Sequence, residues 1–259
     1  MGFGGIEKAL LEMVKNLPKD KYDITIGVME KNGELESQIP ENVNLINIYD
    51  NDESIKLKVL KNIKKFNFFR VYYLISNTMS SYYTKYMYKS YNSISKTLNK
   101  LDEEYDIAIS YTTPISFPII YVINNIVAKN KIMWLHSDIT QFEDDIISFE
   151  KYYHKYNYIF SVSKNGLYKF VNKFPQTKNK SNVYYNSIYE GDIQELANQE
   201  VVLKDYSGLV KITTVARLSP EKGIDLLIES AKLLKDNGYD FIWNCIGEGD
   251  IRKELEYKI

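Results

Sequence analysis

"TTVARLSPEKGIDLLIESAKLL", residues 213–234, passes from a β-branched run to an apolar pattern at helical spacing, with Arg217 and Lys222 at the junction. Ser219-Pro220 suits an N-cap followed by a first helical position, where proline's missing N–H costs nothing. The spacing predicts a helix from Ile224 to Leu234, with Lys222 in its first turn. Two cations at that end meet the positive pole of the helix dipole, where anionic side chains are normally preferred. A phosphate would turn the repulsion into a site, because free N–H groups, guanidinium and ammonium all converge on it. Spacing alone leaves a second reading equally open: two solvated cations at a strand end, partly neutralised by Glu221.

Working outward, a strand–helix series surrounds this stretch. Strand "GLVKITTVARL" (208–218) leads into it, and strand "YDFIWNCIG" (239–247) and helix "DIRKELEYKI" (250–259) follow. Upstream, "KYDITIGVME" (21–30) and "NVNLINIY" (42–49) alternate or cluster apolar residues over strand lengths. "YDIAISY" (105–111), "NKIMWLH" (130–136) and "YNYIFSVS" (156–163) are short apolar runs of the kind buried parallel strands show. "NVYYNSIYEGDI" (182–193) begins as a last short strand and ends polar. Helical patterns lie between: Ile6, Ala9, Leu10, Met13, Val14 and Leu17 form one apolar face. The fold class is α/β, with parallel sheets covered by helices. The polar stretch 190–208 is expected to be a hinge helix and linker, dividing the chain into residues 1–190 and 191–259. Both units are expected to be incomplete. "MGFGGIEKALLEMV" is a glycine-rich turn with no strand before it, where such folds have their central strand. The second unit stops after two strand–helix pairs, short of the five or six strands usual in a sheet.

One cysteine, Cys245, excludes an internal disulfide and any cysteine-based zinc cluster, and two histidines, His136 and His154, leave little for a histidine metal site. A reducing, cytoplasmic setting follows as the expectation. There is no basic-then-apolar secretory signal, and no run of about 18 apolar residues that would span a membrane. The net charge of -1 hides an asymmetry. From Ser54 to Leu101 there is no Asp or Glu, so that segment carries +10 and the remainder -11.

Within that segment, Ile55, Val59, Leu60, Ile63 and Phe66 share one helical arc, with Lys58, Lys61, Lys64 and Lys65 opposite. "YYLISNTMSSYYTKYMYKSY" continues with tyrosines interleaved by lysines. A basic amphipathic helix with aromatics suits an anionic membrane surface, each lysine there contributing roughly 1 kcal/mol. The plainer reading is a helix pair with a solvated basic face. Single-stranded nucleic acid, which also takes aromatics, is disfavoured because no nucleic-acid-binding module surrounds the segment.

"ARLSPEKGIDLLIESAKLL" followed by "FIWNCIGEGDIRKELE" resembles the opening of the C-terminal domain of glycosyltransferase family 4. The resemblance implies two Rossmann-like domains (the GT-B arrangement) with a nucleotide-sugar donor between them. It implies that Arg217 and Lys222 hold the donor diphosphate and that Gly247-Glu248-Gly249 approaches the nucleotide. "GFGGIEKALLEMV" resembles the family's first loop, where Gly4 and Gly5 bring backbone N–H groups near donor phosphate and acceptor. "IMWLHSDI" resembles the strand-end histidine of many members, which gives His136 a contact to the transferred sugar. Taken alone, a histidine after an apolar strand is more often structural, and the nearby Asp138 has no spacing that makes it a general base. Ser163 falls where the family places a serine; an N-cap is its plainer role. In "VYYNSIYEGDI", Asn186 and Ile188 match the family's turn, while Ser187 replaces proline and Tyr189 replaces the acid. The family's Glu-x7-Glu motif is missing: Glu221/Glu229 and Glu248/Glu256 have the spacing but come too early.

The implied activity is transfer of a sugar, with retention, from a UDP- or GDP-sugar to an acceptor hydroxyl. The implied acceptor is a carbohydrate or lipid-linked molecule of cell-surface polysaccharide or glycolipid synthesis. Neither cofactor nor metal is expected, since Arg217 and Lys222 supply the positive charge. The alternative is a non-catalytic fragment or a partner- or membrane-binding protein without the full donor site. An NAD-dependent oxidoreductase is disfavoured, because "GEGDIR" has Arg252 where the third glycine belongs and the chain ends before the ribose-binding acid expected about 20 residues on.

Overall fold

The computed structural model describes residues 4–29, 33–49, 54–83, 85–101, 103–142, 145–199 and 208–258 of the chain. It divides into two compact units, Met1–Glu195 and Leu196–Ile259. Of the hinge helix and linker expected over residues 190–208, the helix spans Glu190–Ala197, and residues 200–207 lie outside the described residues.

In the first unit, helix α1 (Gly5–Asn16) precedes strands β1 (Ile24–Val28) and β2 (Val43–Asn47). Three helices follow: α2 (Ile55–Lys64), α3 (Phe68–Tyr83) and α4 (Met87–Thr97). The chain then alternates through β3 (Glu104–Thr112), α5 (Phe117–Asn125), β4 (Val127–Leu135), α6 (Ile146–Tyr153), β5 (Tyr158–Ser161), α7 (Lys164–Lys173) and β6 (Ser181–Val183). Helix α8 (Glu190–Ala197) carries the division between the units.

Strands β3–β6 form one parallel sheet in sequence order, while β1 and β2 form a separate parallel pair. The Tyr105 ring of β3 reaches the Thr25 hydroxyl of β1, although the two backbones share no ladder.

Period-two alternation decides the burial of the larger sheet. Ala108, Met133, Leu135 and Ile159 point into a core closed by Ile119 and Ile120 of α5, Phe149 and Tyr153 of α6, and Phe170 of α7. The buried tyrosines satisfy their hydroxyls: Tyr153 donates to the Pro114 carbonyl at 2.7 Å and Tyr156 to that of Ile119 at 2.8 Å. The opposite face is a row of rings, Tyr111, Trp134, Phe160 and Tyr184, with successive centroids 5.2, 5.4 and 5.6 Å apart. Ile107 and Ile109 on that face stay exposed.

The three middle helices stack outward from the sheet: α4 packs on α5, α3 on α4, and α2 on α3. Burial falls with distance from the core, so α3 buries only Leu74 and α2 buries nothing. The basic face expected on α2 differs at one position. Lys58 turns inward and donates to the Thr97 carbonyl at 3.0 Å, because the C-terminal end of α4 offers unpaired carbonyls there. The turn from α2 to α3 is sharp. Phe66 takes a left-handed backbone (φ 55°), the Asn67 N–H bonds the Asn62 carbonyl at 2.9 Å, and the Asn67 side chain caps α3 through the Arg70 N–H at 3.0 Å. Helices usually place glycine in that left-handed position. A phenylalanine there costs about 1 kcal/mol.

The second unit pairs β7 (Val210–Val215) with β8 (Phe241–Ile246) in parallel, with α9 (Ile224–Asp236) between them and α10 (Arg252–Lys258) at the end. Among the described residues its buried apolar side chains are Leu218, Ile224 and Leu255.

Candidate functional site

Because β3–β6 run parallel, their C-terminal ends form a single rank: Thr112, Leu135, Ser161 and Val183 are register partners in turn. Ligands of open α/β sheets bind outside this edge. His136 stands one residue beyond the rank, its N–H bonded to the Thr112 carbonyl at 3.3 Å. Its ring lies 4.1 Å from that of Tyr111 and runs nearly parallel to Trp134 at 6.4 Å. Burial among these rings pushes its pKa down to about 4, so the imidazole is neutral at pH 7.

His136 Nε2, Trp134 Nε1 and Ser187 Oγ are buried polar atoms without a hydrogen-bond partner among the described residues. Tyr111 joins them: its ring meets those of His136 and Trp134, and its hydroxyl reaches Asn186 Oδ1, beside Ser187, at 3.5 Å. Native proteins leave few buried polar groups unpaired, so three near one strand end mark a place for a polar ligand. Sequence reading reached His136 but missed Trp134, Tyr111 and Ser187 as members of this group. One signal was available for Trp134: it precedes His136 by two residues and so lies on the same strand face.

The glycine turn opens onto the same neighbourhood. Gly4 is the extended N-cap of α1 and Gly5 its first helical residue. A cavity of about 330 Å³ lies between the first turn of α1 and the ends of β1 and β3, lined by Ile6, Glu7, Met29, Tyr111, Thr112 and Phe117. A Cβ on Gly5 would meet no atom of the described residues within 4 Å beyond its own chain neighbours and helix. The Glu7 carboxylate, however, folds back over Gly4 and occupies the anion position of its own helix end. A phosphate at Gly4 and Gly5 requires that side chain to swing away.

Two other residues near this edge have structural work. Asp138 pairs with Lys169 and accepts from the Thr140 N–H and hydroxyl, each at 2.9 Å. The Lys169 bond comes first among the causes that lower its pKa to about 2, so it stays ionised and engaged rather than acting as a base. Ser163 caps α7, accepting from the Gly166 N–H at 3.0 Å.

In the second unit, the chain after β7 continues as an extended zipper against the loop after β8. The Ala216 N–H bonds the Ile246 carbonyl at 3.1 Å and the Leu218 N–H bonds that of Glu248 at 2.9 Å. Gly247 and Gly249 permit this approach, since a Cβ on either would run into the backbone of Ala216 or Leu218. The two glycines thus serve the protein's own loop packing before any nucleotide. Arg217, between the two bonded residues, is exposed on the loop.

Lys222 is exposed as well, but it is not in α9. It closes a 3-10 turn, Pro220–Lys222, and Gly223 then takes a left-handed backbone (φ 67°) before the helix begins at Ile224. The turn is separate because that left-handed residue ends one helical segment and starts another. Ser219 donates to Glu221 at 2.6 Å instead of capping α9. That bond, the Glu221 N–H, and the charges of Arg217 and Lys222 hold the Glu221 carboxyl below its usual range. The loop therefore gathers two cations and one anion at the C-terminal edge of a parallel strand. In the next loop Arg252 takes both Glu248 and Glu256, so that pair forms a helix-surface ion network.

No protein-family model and no curated protein matches the chain. Among solved structures, a variant of S. aureus TarM in complex with fondaparinux, alpha-GlcNAc-glycerol and UDP is similar over 59% of this chain, at 20% sequence identity and a TM-score of 0.39. The similarity spans 30% of that protein's own length.

Proposed function

We propose that the protein is a glycosyltransferase of the GT-B type, moving a sugar from a UDP- or GDP-sugar to an acceptor hydroxyl with retained configuration. The observation that carries this reading is the loop 217–222. Arg217 and Lys222 flank a single carboxylate at the end of a parallel strand, in a setting suited to a diphosphate. In the reaction the acceptor oxygen bonds to the anomeric carbon as the bond from that carbon to the diphosphate oxygen breaks, and the acceptor's hydroxyl proton passes to the departing diphosphate. Negative charge grows on the departing nucleoside diphosphate, and the two cations stabilise it. His136, neutral at pH 7, holds a hydroxyl of the transferred sugar through its unpartnered Nε2. The sugar is destined for a cell-surface polysaccharide or glycolipid, on a carbohydrate or lipid-linked acceptor. The enzyme works at the inner face of a cell membrane, to which it is attached peripherally.

Replacing Arg217 by alanine in the whole enzyme is expected to lower kcat about 10²–10³-fold, the scale for losing one preorganised donor. Unchanged turnover at saturating donor would remove the loop from the mechanism. The exposed α2–α3 surface favours a second reading, a binding protein without turnover. Calorimetry with UDP and GDP separates the two, because a protein without a donor site releases no heat with either.

A further inference from the structure

The α2–α3 surface, which the proposed transfer leaves unused, exposes many large apolar side chains. Along α3, Phe69, Tyr72, Ile75, Met79 and Tyr83 recur every three or four residues, which places them on one face of the helix. Phe69, Tyr72 and Tyr83 are 82%, 72% and 84% exposed. The helix's one buried side chain, Leu74, lies on the other side, towards α4. At the head of this stripe stands Phe66, 81% exposed, edge-on to Phe68 with centroids 6.3 Å apart. Phe66 holds the left-handed backbone that glycine or asparagine would adopt with less strain. An aromatic kept outward at such a position points to a role beyond folding.

Charge decides what covers the stripe. The segment from Ser54 to Leu101 has ten cations and no carboxylate, and Lys64 and Lys65 lead directly into Phe66. A second copy of the chain would bring two such surfaces of like sign together. Single-stranded nucleic acid would answer the charge and the rings, but it has no use for Ile75 and Met79 in the same stripe. An anionic bilayer answers all three, taking aromatics and aliphatics at the acyl boundary and cations at the headgroups.

We propose that α3 lies flat in the interface of an anionic membrane, with Phe66 and the stripe from Phe69 to Tyr83 inserted and Lys64 and Lys65 on the headgroups. The inference supplies a contact surface for the peripheral placement proposed above, and it rests on that reading.

The test is sedimentation of the full chain, without donor or acceptor, with vesicles of phosphatidylcholine containing about a third phosphatidylglycerol. Binding is expected to these vesicles, with little to phosphatidylcholine alone, and to weaken as salt is raised. Lys64→Gln/Lys65→Gln is expected to lower binding about tenfold or more. Phe69→Ser/Tyr72→Ser should lower it at least tenfold. Phe66→Asn is the control for folding: it relieves the left-handed strain, so its thermal midpoint should hold or rise while vesicle binding falls. If the wild-type chain binds and these variants bind equally well, membrane placement stands and this surface is the wrong one. If the wild-type chain does not bind, or prefers polyuridylate to vesicles, both the placement and the surface are overturned. Transfer activity is measured separately on a soluble acceptor, so loss of docking and loss of chemistry are told apart.

Discussion

Burial holds the His136 imidazole neutral, and the consequence can be measured. The protonated ring would be desolvated among Tyr111 and Trp134, so its pKa sits near 4 against about 6.5 for a free histidine. The folded chain therefore binds fewer protons than the unfolded chain between those values. The contribution of His136 to stability is intact above pH 6.5 and is lost as pH falls through 4. Proton NMR offers a direct reading, since the chain has only His136 and His154 and a His154→Gln variant assigns both. The His136 midpoint is expected near 4, and His136→Gln should flatten the loss of stability below pH 6. A midpoint near 6.5 would mean a solvated ring and would leave Nε2 with water as its partner. At the same scale, sequence reading found the residues with one chemical signature, such as His136, Arg217 and Lys222. It missed partnerships between residues far apart in the chain, such as Lys169 with Asp138 or Lys58 with the Thr97 carbonyl. No spacing rule joins positions about thirty or more apart; the fold has to bring them together.

At the scale of elements, the glycines divide into two kinds. Gly249 is packed: its Cβ would enter the backbone of Leu218, so the loop after β8 must move to admit alanine. Gly5 is open among the described residues, none of which comes near its Cβ from outside α1, and it occupies the first position of α1. Gly249→Ala is expected to destabilise the second unit by about 2 kcal/mol or more, the range for overpacking. Gly5→Ala should stabilise α1 by up to about 1 kcal/mol, because glycine is the poorer helix residue. If the first turn of α1 also admits a donor phosphate, Gly5→Ala will lower transfer while raising the thermal midpoint. A fall in both would mean that the glycine serves the fold alone. The elements themselves were mostly legible. The strands of the larger sheet announce themselves as short apolar runs, and α9 starts at the expected Ile224 because its apolar period begins there. The 3-10 turn before α9 was not legible, since Ser-Pro at 219–220 signals a helix start equally well for three residues or thirteen. Nor was the ring row on the β3–β6 face, where Tyr111, Trp134, Phe160 and Tyr184 come from four separate segments.

At the scale of the whole molecule, the two units are unequally supported. The first has a core of fifteen buried residues in one cluster, closed by three helices. The second rests on Leu218, Ile224 and Leu255 beneath a two-stranded ladder, and it leaves Val210, Val215, Leu226 and Leu233 exposed. Two-stranded sheets are marginal by themselves, and small units bury a lower fraction of their surface. A chain built this way should not unfold as one cooperative body. Its two tryptophans provide the means to see this, because each unit holds one. Trp134 is buried on β4, and Trp243 on β8 donates to Thr214 at 3.0 Å. In a Trp134→Phe variant the emission reports only the second unit, and in Trp243→Phe only the first. On heating, the Trp243 signal is expected to change several degrees before the Trp134 signal. UDP, if it binds at Arg217 and Lys222, should move the earlier transition upward and leave the later one in place, since a ligand stabilises what it binds. Coincident transitions that UDP shifts together would instead mean that the two units unfold as one and share the ligand.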